Sequence, residues 1–297
     1  MPTHLPSIAI VLLTAAGAAL LTTGEERRQA PQRASAPFPP AFEVATIKPN
    51  RSGSRGRSLG YPPNRFVAVN MPLRFLIGNA YGDTLSVRQD MIVGGPSWLD
   101  SERFDVEATA SSTSAGAGAT PPDVMARKMM LRTLLAERFA LRLNTETHER
   151  AFYALVVAKA DGTRGTRLKP STGEECVSGA SSGDAASLPA CGPGARPLGE
   201  TGGYFVTMTE LAETIGQFLD RPVLDKTGLS GRFTFDVHFT PPPPVTPIPG
   251  APPDPPADPD APSIFTAVQE QLGLKLDPQR GPIEVLVVNG VERPTPN

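Results

Sequence analysis

The chain has 297 residues, enough for about two domains at roughly 150 residues each. Its formal net charge of -2 argues against a nucleic-acid binder, which carries a strongly basic face. Twelve of its 34 prolines lie between Pro241 and Pro262, so the proline excess marks one linker rather than the whole chain.

In chain order, Ile8 to Leu21 is apolar apart from Thr14. That is the length of a signal-peptide core and short of the ~20 residues a membrane-spanning helix needs. Ala16-Gly17-Ala18 and Ala34-Ser35-Ala36 are candidate cleavage sites, although Met1 to Ser7 holds no Lys or Arg. The expectation is an exported protein, periplasmic or secreted, with residues 1–21 as signal peptide or, uncleaved, as a short membrane tether. Residues 22–40 are polar and proline-rich and read as a disordered tether.

A first module is expected over 41–165. Phe42 to Ile47 alternates as a strand, and Asn50 to Gly60 reads as a loop carrying Arg51, Arg55 and Arg57. Phe66 to Val69 is a strand. Asn70 is placed as the N-cap of a helix carrying Leu73, Leu76, Ile77 and Ala80, ended by Gly82. Met91-Ile92-Val93 and Arg103 to Ala108 are strands separated by a Gly-Gly-Pro turn and Trp98. Past the Ser111–Thr120 connector, a helix runs to about Arg138 with Met125, Met129, Leu131, Leu134 and Leu135 inward. Ala140–Thr145 and Ala151–Lys159 are expected to form a hairpin across a polar turn.

Residues 166–200 read as a loop insert bounded by Cys176 and Cys191. In an oxidising compartment the two cysteines are expected to pair, and closing a loop of about 15 residues would stabilise by roughly 3 kcal/mol. The alternative is two free thiols. No His or further Cys lies near them, so a metal site is not expected.

Residues 201–297 repeat the pattern as a second module, with the proline-rich linker at 240–262. Tyr204–Val206 is a strand. Thr209 is placed as cap of a helix with Leu211, Ile215, Phe218 and Leu219, and Pro222–Leu224 and Arg232–Phe239 are strands. Ser263 caps a helix with Ile264, Phe265, Val268 and Leu272, and Leu274–Leu276 with Ile283–Val288 closes a second hairpin. Several phrases recur in order: Phe104-Asp105-Val106 as Phe235-Asp236-Val237, and Ala154 to Val157 as Val285 to Val288. The fold expected is α+β, two tandem βαβαββ modules with helices on one face of small, mostly antiparallel sheets.

Chemistry is sparse. No HExxH, CxxC or Gly-rich phosphate loop is present, so no cofactor or metal is expected. Gly179 to Gly183 fits G-x-S-x-G but lacks the flanking strand and helix of a nucleophile elbow. His148 falls in a polar stretch. Five residues remain as contact candidates: Asp105 and Glu107 on one strand face, Asp236 and His238 on the matching strand, and Trp98. The bland reading of the four polar ones is a solvated sheet face, and of Trp98 a cover for the end of the core.

Phe42 to Asn50, Gly94 to Asp100, Leu134 to Phe139, Asp220 to Leu229 and the Val291–Asn297 ending resemble a family of uncharacterised exported proteins expanded in soil Acidobacteria. Its Solibacter-type domain of unknown function is also found fused to BlaR-like antirepressor metallopeptidases, and the resemblance carries no catalytic residues over. The second module also looks like the short N-terminal domains of secretins and TonB-dependent receptors. Export, the repeat, the missing catalytic constellation and the fusions that the resemblance implies together lead to the expectation of a non-catalytic binding or sensor-type protein, with an envelope protein or small ligand as partner; the charge argues against nucleic acid. The alternatives are an enzyme using strand carboxylates and a structural envelope component.

Overall fold

The computed structural model describes residues 40–54, 56–62, 64–82, 85–110, 124–177, 188–194, 196–241 and 260–294. The expected signal segment, all of the 22–40 tether but Pro40, the Ser111–Thr120 connector, Arg55, the Gly179–Gly183 motif and most of the proline-rich linker lie outside them. Up to the middle of the chain the elements are β1 (Val44–Pro49), β2 (Ser58–Gly60), β3 (Arg65–Pro72), α1 (Leu73–Tyr81), β4 (Ile92–Gly94), α2 (Trp98–Ser101), β5 (Arg103–Thr109), α3 (Val124–Phe139) and β6 (Arg142–Val157). They continue with β7 (Leu168–Pro170), β8 (Gly192–Gly194), β9 (Glu200–Val206), α4 (Met208–Gly216), β10 (Val223–Asp225), β11 (Phe233–His238), α5 (Ile264–Leu272) and β12 (Leu274–Gly290). The fold is α+β, as the alternating strand and helix patterns predict.

Period-two alternation builds two antiparallel sheets of the same plan. The first runs β1-β5-β3-β2, the second β7-β11-β9-β8. β5 buries Phe104, Val106 and Ala108, and β11 buries Phe233, Phe235 and Val237. The registers correspond as well: Pro49 faces Phe104 as Pro170 faces Phe233, and Ile47 faces Val106 as Leu168 faces Phe235. Each sheet carries a bulge before its helix, with Asn70 (φ 58°) in β3 and Phe205 (φ 56°) in β9. The shared plan fits the internal repeat read from the sequence. It also moves the matching: Phe104-Asp105-Val106 corresponds to Phe233-Thr234-Phe235, two residues before the phrase that resembles it most. β7 and β8 come from residues 166–200, so that segment supplies both edges of the second sheet rather than standing apart as a loop.

The expected hairpins do not form. β6 and β12 are single strands of 16 and 17 residues, and they pair with each other, antiparallel, from Leu274–Val157 to Gly290–Arg142. The short strands flank this ribbon crosswise. β4, from the first half, runs parallel to β12, and β10, from the second, runs parallel to β6, giving the order β10-β6-β12-β4. Each core is therefore completed by the other half. Leu286 and Val288 pack into the cluster around Phe66, Phe104 and Phe139, while Tyr153, Leu155 and Val157 pack into the cluster around Phe233 and Phe235. A third cluster of Met91, Phe152, Ala154, Ile283 and Val285 lies along the central sheet.

Helix ends show where local signals were misplaced. The N-cap of α4 is Thr207, not Thr209: Glu210 N–H donates to Thr207 Oγ1 at 3.1 Å, and Thr207 N–H donates to a Glu210 carboxylate oxygen at 2.7 Å. Asn70 is no cap, because α1 starts after Pro72 with no side-chain cap bond. Ser263 caps α5 as expected, accepting from Thr266 N–H at 3.2 Å. On α3, Met125 and Met129 are 40% and 43% exposed, whereas Lys128 is 3% exposed and donates to Gly82 O at 3.0 Å. The inward face follows Lys128 because its ammonium, with Arg132 on Ala80 O at 2.7 Å, meets the carbonyl end of α1. Phe265 is 40% exposed, set edge-on to Tyr153.

Both long strands start from a left-handed residue, Ala140 (φ 47°) after α3 and Gly273 (φ 69°) after α5. A Cβ on Gly273 would lie 2.5 Å from the Gly165 nitrogen, so that position admits glycine only. Ala140→Gly is expected to stabilise by about 1 kcal/mol through relief of the left-handed conformation, and Gly273→Ala to destabilise by more than that, read from urea midpoints at unchanged slope.

Candidate functional site

The sequence-predicted contact residues are mostly consumed by structure. Asp105 sits opposite the β3 bulge, where one carboxylate oxygen accepts from Asn70 N–H and from Asn50 Nδ2, both at 2.8 Å. Asn70 is itself buried and donates to the carbonyls of Ser54 and Gly56, tying the preceding loop to the sheet. Glu107 pairs instead with Arg65 at the surface. The two carboxylates do project from one face of β5, as the alternation predicts, but they serve separate partners. Trp98 is buried, edge-on to Phe104, with the Arg293 guanidinium over its ring at 5.1 Å, so it covers the core.

In the second half the polar position opposite the bulge is Thr234. It donates to Glu175 at 2.8 Å, and Ser171 donates to the same carboxylate oxygen. These bonds hold the Glu175 carboxyl below its usual pKa, Ser171 contributing most. The carboxylate that lies on the strand in one sheet lies on the loop in the other. Asp236 corresponds by register to Glu107 and, like it, meets an arginine, Arg167. His238 lies between Glu200 (3.5 Å) and Asp236 (3.6 Å) on the open face of the sheet, its ring half exposed.

His238 and Asp236 line one end of a larger feature that the sequence did not disclose. Four cavities follow one another, each sharing residues with the next. The first, about 190 Å³, holds Tyr204, Asp236 and His238. Through Arg196, Glu200 and Thr201 it meets a cavity of about 430 Å³ walled by Pro193, Pro197, Leu198 and Phe218. Through Leu85 and Gln217 that one meets a cleft of about 420 Å³ lined by Tyr81, Val87, Met91, Val223, Leu224 and Ile283. Through Met91 and Pro222 the cleft meets a charged cavity of about 360 Å³ holding Glu149, Arg150, Arg221 and Arg280. The middle is apolar and the ends are polar.

The cleft lies where the halves meet. The segment after α1 crosses to the end of α4, where Arg88 Nη1 donates to the carbonyls of Gly216 and, at 3.0 Å, Leu219. A guanidinium on the carbonyl end of a helix is favourable and fixes the crossing segment. Tyr81 lines the cleft; burial pushes its phenol above its ordinary pKa, opposed by the Arg132 guanidinium over its ring, so the phenol is protonated at neutral pH. Among the described residues no group of three or more His, Cys, Asp or Glu is placed to hold a metal ion.

Cys176 and Cys191 form a disulfide, with Cα atoms 5.0 Å apart. Cys191 directly precedes β8, and the chain beyond it walls the second cavity. Among the described residues no helix is long and apolar enough to cross a membrane.

A family described as a protein of unknown function (DUF3738) matches residues 74–291. No curated protein and no solved structure matches the chain.

The two carboxylates of β5 are expected to separate in a mutational test. Asp105→Ala leaves the Asn70 amide without its acceptor and should cost about 1–3 kcal/mol, whereas Glu107→Ala should stay within about 0.5 kcal/mol, measured by chemical denaturation. Equal costs would mean that Asp105 does not hold the bulge.

Proposed function

We propose, for a chain that belongs to the DUF3738 family, a non-catalytic binding role outside the cytoplasm, with the ligand or partner segment held in the trough between its halves. The run of four adjacent cavities, each sharing lining residues with the next, carries this reading. Ligand sites are concave and mostly apolar, with a few polar groups that fix orientation, and they favour the seams between structural units. Here the apolar stretch coincides with the seam, and Tyr81, Glu213 and Gln217 supply polar groups along it.

Export is supported by the disulfide, a bond that persists in oxidising compartments, and by the apolar run near the start of the chain. A sensor-type role agrees with the resemblance to a domain fused to BlaR-like metallopeptidases, and an envelope protein or a small ligand would be its partner. Of the strand carboxylates that the enzyme alternative would use, Asp105 and Glu107 are bound to Asn50, Asn70 and Arg65 and line none of the four cavities, whereas Asp236 lines the first.

The site is tested with a photo-crosslinking residue at Leu85 or Gln217, inside the trough, and at exposed Glu270 as control, in cells of the native host. Adducts from the trough positions that Glu270 does not give are expected. Equal labelling at all three, or none, would remove the trough as the binding site. Export is tested by fractionation with thiols blocked at lysis: the protein should be found outside the cytoplasm with Cys176 and Cys191 oxidised, and cytoplasmic protein with both thiols free would overturn it.

A further inference from the structure

We infer that the Cys176–Cys191 disulfide holds one wall of the trough in place, so that reduction by a dithiol loosens that wall while the rest of the fold stands; this rests on the trough reading above. The comparison between the two sheets carries the inference. In the first sheet the edge strand β2 is held by two side chains. Leu59 packs against the core, and Asn70 donates from the bulge to Ser54 O and Gly56 O in the loop that leads into β2. The corresponding edge, β8, reads Gly192-Pro193-Gly194: two residues have no side chain and the third has no N–H. It pairs with Gly202, Gly203 and Tyr204 of β9. The bulge position there is Phe205, which cannot make the bonds Asn70 makes and instead lies over Gly173, whose missing Cβ leaves it room. Such a strand has little to hold it.

What β8 has instead is covalent. Cys191, the residue before it, is bonded to Cys176, which is buried at 7% exposure. Two backbone bonds accompany the link, Val177 N–H to Pro189 O at 2.8 Å and Cys191 N–H to Val177 O at 3.1 Å. The disulfide holds β8 as Leu59 and Asn70 hold β2, although by register the positions that match those two are Pro193 and Phe205. The chain it pins goes on to wall the trough with Pro193, Gly194, Arg196, Pro197 and Leu198.

Reduction is a two-electron exchange. A thiolate of the dithiol attacks Sγ of Cys191, the less buried of the two residues, and the Cys176 thiolate leaves and takes up a proton. The second thiol of the reductant then displaces Cys191, leaving two protein thiols and the oxidised, cyclic reductant.

The test is hydrogen exchange read by mass spectrometry on the full chain, oxidised, after treatment with dithiothreitol, and as the Cys176→Ser/Cys191→Ser variant. Amides of residues 188–194 and 199–204 are expected to lose at least about tenfold in protection, while β6, β12 and the first sheet keep theirs. Unchanged protection at 188–204 would overturn the inference, and so would loss spread over both sheets, which would make the bond a general staple. If the variant does not fold, the reduced wild-type chain gives the same reading. No ligand is used, so a wall that stays rigid on reduction removes the redox control and leaves the crosslinking result to decide the trough.

Discussion

The antiparallel pairing of β6 with β12 is the constraint on which everything else rests. It joins strands from opposite halves of the chain over their whole length. Its two outer edges are then used crosswise, β10 on β6 and β4 on β12. Because each long strand runs the length of both halves, the two ends of one of its faces reach different cores: Leu143 the first and Leu155 the second, matched by Leu274 and Leu276 in the second and Val288 in the first. The trough follows from the same geometry. Crossing β4 and β10 over the ribbon brings the segment after α1 against the end of α4, and the cleft is the space left between them.

Much of this architecture was legible. Alternation located the strands of both small sheets, periodicity located the helices, and recurring phrases pointed to a shared plan. The central ribbon was not legible, for a physical reason. Residues 144–149 of β6 are largely exposed, so the strand there is polar and without alternation, the composition of a turn. Pro278 and Pro282 give β12 the same appearance, yet a proline is tolerated on a strand whose missing N–H faces an open edge.

The mismatched phrases have a related cause. A slip of two residues keeps every side chain on its own face, so Phe235-Asp236-Val237 satisfies the pattern of Phe104-Asp105-Val106 as well as the true counterpart does. Only the partner strands decide, and the clue in the sequence was Ile47-Lys48-Pro49 recurring as Leu168-Lys169-Pro170, inside the segment read as an insert. The trough was beyond sequence reasoning, since Leu85, Gln217 and Arg196 become neighbours only through the cross-pairing. Among the five contact candidates, Asp236 and His238 do line it, whereas Asp105, Glu107 and Trp98 belong to the sheet and the core.

Repeats usually confer independence: each unit folds on its own contacts, and units can be gained or lost singly. The crosswise strands remove that freedom. The core of the first half is completed by Leu286 and Val288 of β12, so during synthesis that half must wait, incompletely packed, until β12 has been made. A lesion in one long strand is felt in both cores, and neither half could be passed to another protein as a finished unit. Two halves built on one plan form a single cooperative object.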